Sequence, residues 1–286
     1  MRAEQVTEPI AHHGEGPVWD QRTSRLVSVD MLDGDILGLD PSSGKHTRTH
    51  VHSVAACVRP RAAGGYVVAV ERGFAFLPTC DPEAEVELLP ELWTDRNIRM
   101  NEGGCDPQGR FYCGSMDYSA APDRGTVWRL DVDGTAQAVL EPVSISNGLV
   151  WSLDGSTAFY VDTPTLRVDA LAFDAEHGTF GERRTVVEVA KGQGRPDGMT
   201  IDSDGGLWVA FFGGSCVRRY RQDGEIDLQI DLPVSQVTAC TFGGPDLDEL
   251  YITTSSNNLD DDEPEAGAIF HATPGFRGLP PVPFAG

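Results

Sequence analysis

A four-strand phrase repeats six times along this chain, and the repeat limits the folds open to it more than any other feature. After Asp197 the sequence reads GMTID, a turn at SDG, GLWVAFF, a turn at GGS, CVRRYR, a turn at QDG and then EIDLQIDL. Runs rich in β-branched and aromatic residues, separated by glycine-containing turns, are antiparallel strands joined by tight connections. The phrase recurs from Asn147 (GLVWS, STAFYVD, LRVDALAF, RRTVVEVA), from Asn101 (GGCDP, RFYCGSM, TVWRLDV, TAQAVLEP) and from Glu15 (GPVWD, RLVSVD, DILGLD, THVH). Looser copies start near Val54 and Thr238. Six four-stranded units of about 40–50 residues are the signature of a six-bladed β-propeller. The chain is therefore read as all-β, one propeller domain over 1–286 with four antiparallel strands per blade. Residues 5–10 are expected to supply the missing outer strand of the last blade.

Aligning the units on the apolar residue four places into each first strand brings Glu15, Val54, Asn101, Asn147, Asp197 and Thr238 into register. First strands line the central channel of a propeller, so this column converges on the axis. Four of the six carry carboxylate or carboxamide oxygens, which strands disfavour. Each has a local explanation as a turn former: Asn147-Gly148 and Asp197-Gly198 are turn dipeptides, Glu15-Gly16-Pro17 a loop, Asn101-Glu102-Gly103-Gly104 a hairpin tip. Turn formation does not explain alignment across repeats, and each unit has its own turn a few residues later, as at Asp154-Gly155 and Asp204-Gly205. Converging buried carboxylates cost several kcal/mol unless paired. A divalent cation resolves this, and oxygen-only donors suit Ca²⁺, Mg²⁺ or Mn²⁺, with Zn²⁺ and Fe²⁺ also able to bind carboxylate oxygens. The sequence shows no further layer of carboxylates deeper in the channel. His12 and His13 read as surface or rim residues, Cys105 and Cys113 as core.

Composition narrows the partners. Asp and Glu number 44 against 22 Lys and Arg, a formal charge of −22, and a field of that sign repels nucleic acid and anionic membrane surfaces. The run Asp260-Asp261-Asp262-Glu263 reads as a solvated loop. The six cysteines form no C-x-x-C pair. The N-terminal stretch has no signal-peptide core, and no stretch approaches the ~18 apolar residues of a membrane span. A cytoplasmic protein with neither a nucleic-acid nor a membrane partner is expected.

Five ordered stretches, GEGPVWD (14–20), RMNEGGCDPQGRFYCGSM (99–116), ISNGLVWSLDG (145–155), RPDGMTIDSDGGLWVAFFGG (195–214) and FGGPDLDELYITT (242–254), resemble the senescence-marker protein (regucalcin), gluconolactonase and luciferin-regenerating-enzyme-like family. The resemblance spans essentially the whole chain. It implies a six-bladed propeller with one axial divalent metal ion, Ca²⁺ first and Zn²⁺, Mg²⁺, Mn²⁺ or Fe²⁺ as alternatives, held by Glu15, Asn147 and Asp197. It also implies substrate contacts from Arg99 and Asn101, the latter sometimes touching the metal through water. Some lactonases of the family place an acidic residue a few positions after a G-T-M motif. Here the run is Gly114-Ser115-Met116-Asp117-Tyr118-Ser119, so Asp117 or Tyr118 stands in that place, and the link from Asp117 to Arg124 is expected to form part of a lid.

The expected activity is that of a metal-dependent lactonase, a carboxylic ester hydrolase acting on an aldonolactone such as glucono-, xylono- or arabinonolactone. The metal acts as Lewis acid, and Asp197 as general base toward the attacking water. Two alternatives remain on the sequence: an organophosphate or phosphotriester hydrolase at the same site, and a non-catalytic calcium-binding propeller. Related phosphotriester hydrolases tend to hold a second cation deeper in the channel, for which no ligands were visible in the repeats.

Overall fold

Alternating apolar runs and Gly turns make each phrase a meander, and in the computed structural model, which describes residues 1–259 and 262–286, every phrase forms a four-stranded antiparallel sheet. The inner strands are Gly14–Asp20, Ala55–Pro60, Ile98–Cys105, Ser146–Trp151, Arg195–Ile201 and Val237–Gly243. Five sheets take their strands in sequence order; the sixth joins Val237–Gly243, Glu249–Thr254 and Phe270–Ala272 to the N-terminal Glu4–Gln5. This is the six-bladed propeller that the repeat predicts. The N-terminal strand starts one residue earlier than expected, with Glu4 opposite His271 and Gln5 opposite Phe270. The segment expected to complete the blade still follows it, since Val6 donates to Ile269 O (2.8 Å) and Ile10 to Gly267 O (3.1 Å).

Burial falls from the axis outward. Gly14–Asp20 is buried at every position, whereas the outer strand of the same blade, Lys45–His50, buries only Thr49. Between blades the apolar faces interlock: Tyr112 packs on Trp151 with centroids 5.2 Å apart, and Trp208 on Phe242 at 5.5 Å. Trp19 stacks on Tyr251 (5.9 Å) where blade 6 meets blade 1. Cys113 is core as expected, while Cys105 is only half-buried. Of the acidic run, Asp260 and Asp261 lie outside the described residues; Asp262 is exposed, but Glu263 Oε2 accepts the Ser235 amide (2.6 Å).

One irregularity recurs in all six inner strands. Pairing with the second strand slips between Glu15 and Val18, Ala55 and Cys57, Met100 and Gly103, Ser146 and Leu149, Pro196 and Met199, and Val237 and Ala239. A bulge adds one residue to a strand and re-aims its side chains. Asn101, Asn147, Asp197 and Thr238 lie within these bulges, and Glu15 is the last paired residue before its own. The Asn101–Gly104 run is thus interior strand, not a hairpin tip. Nor are Asn147-Gly148 and Asp197-Gly198 turns: a Cβ on Gly148 would lie 2.7 Å from Met199 Cγ, and one on Gly198 2.5 Å from the Ala239 Cβ. Both glycines let neighbouring inner strands approach at the axis. Gly205, by contrast, has φ +81° and donates to Asp202 O (3.0 Å), closing a hairpin.

Beyond Ala272 the chain crosses the lower face. Gly278 donates to Leu247 O (2.7 Å) at one side, and Phe284 and Ala285 donate to Pro60 O and Gly109 O (both 2.8 Å) at the other.

Deleting residues 1–6 leaves the sixth blade a strand short, and a Tm drop of roughly 5 °C or more in scanning calorimetry is expected, from about 2 kcal/mol of lost pairing. An unchanged Tm would show that the N-terminal strand does not close the ring. Gly198→Ala should cost about 1–3 kcal/mol in urea unfolding by forcing two inner strands apart.

Candidate functional site

Two aspartates at the far ends of second strands set the entry into the inner strands. Asp30 accepts the His12 and His13 amides (3.0 and 2.9 Å), and Asp162 accepts those of Ser144 and Ile145 (3.0 and 2.9 Å). These clamps sit just ahead of Glu15 and Asn147 and fix where each bulge begins. Blades 4 and 5 are then tied together: Asn147 Nδ2 donates to Thr163 Oγ1 (2.9 Å), whose hydroxyl donates to Pro196 O (2.9 Å), the residue before Asp197. This use of the Asn147 amide nitrogen leaves Oδ1 buried with no hydrogen-bond partner. Glu15 Oε2 accepts the Gly16 amide (3.0 Å). Glu15, Asn147 and Asp197 are all buried.

The carboxyl groups feel one another. Burial raises the Glu15 pKa to about 7, against the opposing pull of the Gly16 amide and of Arg99 and Arg59. Burial also raises Asp197 well above the ordinary carboxylate range, and the charges of Glu15 and Glu102 push the same way. Glu102 is a residue the sequence analysis missed. It is buried, its Oε2 has no partner, and burial together with Glu15 raises its pKa as well. Glu102 lines a cavity of about 260 Å³ on the lower side of the channel, with Arg59, Trp151 and Phe242 as walls and Leu279 and Val282 of the C-terminal segment beside them. The expectation of no deeper carboxylate is therefore corrected to one. The repeat alignment brings one residue per blade to the axis, and only the bulge between Met100 and Gly103 turns a residue next to Asn101 inward as well.

The other expected site residues divide. Arg99 is buried, and its Nη1 reaches Asn101 Oδ1 (2.7 Å), Met100 O (2.9 Å) and Met31 Sδ (3.1 Å). Asn101 Nδ2 donates to Ser146 O (2.8 Å), so this amide bridges the arginine to blade 4. Tyr118 lies over the guanidinium at 5.7 Å and bonds Glu71 through its hydroxyl (2.7 Å). Asp117 holds, in blade 3, the strand-end position of Asp30 and Asp162, opposite Ile98. Its Oδ1 is taken by the amide and hydroxyl of Ser119 (2.7 and 2.6 Å), and those bonds lower its pKa. The expected lid segment is tethered: Arg124 bonds Asp95 (2.8 Å) and the Asp123 amide donates to Ser144 Oγ (3.1 Å). His12 is exposed, whereas His13 is half-buried at the channel mouth with Nδ1 on Ser255 Oγ (2.7 Å).

Among the described residues no three His, Cys, Asp or Glu side chains gather as a metal cluster. The donor set here is of another kind, two carboxylates and an amide oxygen. An orphaned buried carbonyl oxygen beside carboxylates whose ionised forms burial disfavours is what a hard divalent cation relieves. Glu15, Asn147 and Asp197 fit such an ion in chemistry and charge.

Residues 13–256 match the family described as the SMP-30/Gluconolactonase/LRE-like region. The chain is 36% identical to the regucalcin of Xenopus laevis, covering 100% of this chain and 99% of that protein. It is 34% identical to a Bacillus subtilis protein provisionally named as the sugar lactone lactonase YvrE, over 96% and 95% of the two chains. The solved structure of a calcium-binding protein, regucalcin, from Agrobacterium tumefaciens superposes with a TM-score of 0.92 at 25% identity, over 99% and 97% of the two chains. Fold, ordered motifs and full-length identity agree, and the chain belongs to the SMP-30/gluconolactonase/LRE-like family.

Proposed function

We propose that this protein hydrolyses a sugar lactone, of the glucono-, xylono- or arabinonolactone type, with a divalent cation held by Glu15, Asn147 and Asp197. The observation that carries the proposal is Asn147 Oδ1, buried without a partner in a bulge that stands in register with Asp197. The family name and the lactonase name of the Bacillus relative supply the substrate class. The similarity to the calcium-binding protein of Agrobacterium favours Ca²⁺.

When bound, the cation supplies Lewis-acid polarisation of a carbonyl oxygen. Asp197 has a second oxygen for the proton of the attacking water, and a neighbouring positive charge favours its ionised form. Water oxygen joins the carbonyl carbon, the ring carbon–oxygen bond breaks, and the proton taken by Asp197 passes to the departing ring oxygen, giving the aldonic acid. Arg99 presents a fixed fork of donors toward the sugar hydroxyls, and Asn101 holds that fork by accepting from Nη1. Tyr118, half exposed over the guanidinium, walls the mouth.

Phosphotriester hydrolysis is the competing enzymatic reading. Glu102 provides one deeper carboxylate, but Arg59 lines the same cavity, and among the described residues no further carboxylate there joins Glu102 as a ligand set for a second cation. A pH-stat comparison of gluconolactone with a phosphotriester separates the readings; faster phosphotriester turnover would favour the alternative.

Asp197→Asn in folded, Ca²⁺-loaded protein should lower lactonase kcat/KM by roughly 10²–10⁴-fold, and Asn147→Ala should weaken metal binding in calorimetry. Full activity in Asp197→Asn would overturn the proposal. The metal-free protein also carries a pH signature. The Glu15 pKa, raised from 4.5 to about 7, contributes stability that is complete below about pH 4.5 and is lost as pH rises through about 7. In chelator, Tm should therefore fall between about pH 5 and 8, less steeply in Glu15→Gln, and saturating Ca²⁺ should reverse the fall because the cation binds the deprotonated form. A wild-type Tm in chelator that is flat across this window would contradict the account of the site.

A further inference from the structure

His13 sits at the channel mouth, and the hydrolytic steps above make no use of it. It pairs with Ser255 across the seam between blades 1 and 6, with Nδ1 2.7 Å from Ser255 Oγ. The Asn257 amide donates to that same oxygen (3.0 Å), and among the described residues the other acceptor bonded by the hydroxyl is His12 O at 3.4 Å. With its oxygen already accepting from Asn257, the hydroxyl is assigned as donor to the nearer acceptor, Nδ1, an assignment that puts the imidazole's own proton on Nε2. Among the described residues no group bonds Nε2.

The backbone here is fixed by Asp30, which accepts the His13 amide (2.9 Å). His13 and Glu15 are two positions apart on an extended segment, with Gly14 between them, so both side chains share a face. The His13 carbonyl accepts from Met31 N (2.9 Å), and Met31 Sδ lies 3.1 Å from Arg99 Nη1. The His13 backbone and the Arg99 guanidinium thus both contact Met31.

Resting on the lactonase reading, we propose that His13 is a specificity-determining residue that donates from Nε2 to a hydroxyl oxygen of a polyhydroxylated ligand. A site that bonds a substrate hydroxyl discriminates against the analogue lacking it, because its own donor is then left unpaired. Ser255 is the positioning residue that sets the tautomer.

The test compares glucono-δ-lactone with unsubstituted δ-valerolactone on wild type, His13→Phe and His13→Gln, all Ca²⁺-loaded. The ratio of kcat/KM for the two lactones should fall about tenfold in His13→Phe, through KM, and return to within about threefold of wild type in His13→Gln, which restores a donor. Equal losses on both lactones would show a structural role and overturn the inference. Wild type inactive on both lactones would instead sink the lactonase reading, and calorimetry with gluconate then decides. Binding about tenfold weaker in His13→Phe than in wild type and His13→Gln keeps the contact; equal affinities, or no binding to wild type, overturn it.

Discussion

Carboxylates brought together out of water are the constraint on which this structure turns. Glu15, Asp197 and Glu102 are buried near one another, and each raises or shares the cost of ionising the next. A fold would not gather them for stability, since buried unpaired charge costs several kcal/mol. The propeller bears that cost because its hydrophobic seams, such as Tyr112 on Trp151 and Trp208 on Phe242, lie between blades and away from the axis. The axis itself is left for chemistry.

Geometry follows from one repeated device. Every inner strand carries a bulge within a few residues of the same point, and a bulge re-aims side chains that a regular pleat would hold in strict alternation. Asp30 and Asp162 fix where two of those bulges start by holding the incoming amides. Gly148 and Gly198 allow the strands to come close enough for their oxygens to share one space. Thr163 then uses one end of the Asn147 amide and leaves the other unbonded. The placing of these side chains is thus a property of the scaffold, the kind of support a preorganised site requires.

What the sequence made legible and what it concealed have the same physical origin. The blades were readable because turn chemistry and strand composition are local, and the repeat separated Asp197 from Asp204, whose dipeptides are identical. Glu102 was not readable, because NEGG has the composition of a turn and only the bulge between Met100 and Gly103 makes it interior strand. His13 was read only as a rim residue because its partner is Ser255, 242 residues away, across the closing seam. At Asp117, expected from its place after Met116 to contact a sugar, one carboxylate oxygen also accepts from Ser119 two residues on. Contacts made by distant segments, and the orientation of a side chain within an irregular strand, are the parts that local pattern does not carry.

The central claim is that the bulged column exists to hold one divalent cation. Anomalous diffraction from crystals grown with Mn²⁺ tests it most directly, because it locates the ion independently of turnover. The account predicts one strong peak on the axis, within bonding distance of Glu15, Asn147 Oδ1 and Asp197. Peaks confined to the acidic outer surface, or an axial peak seated at Glu102 instead, would contradict it.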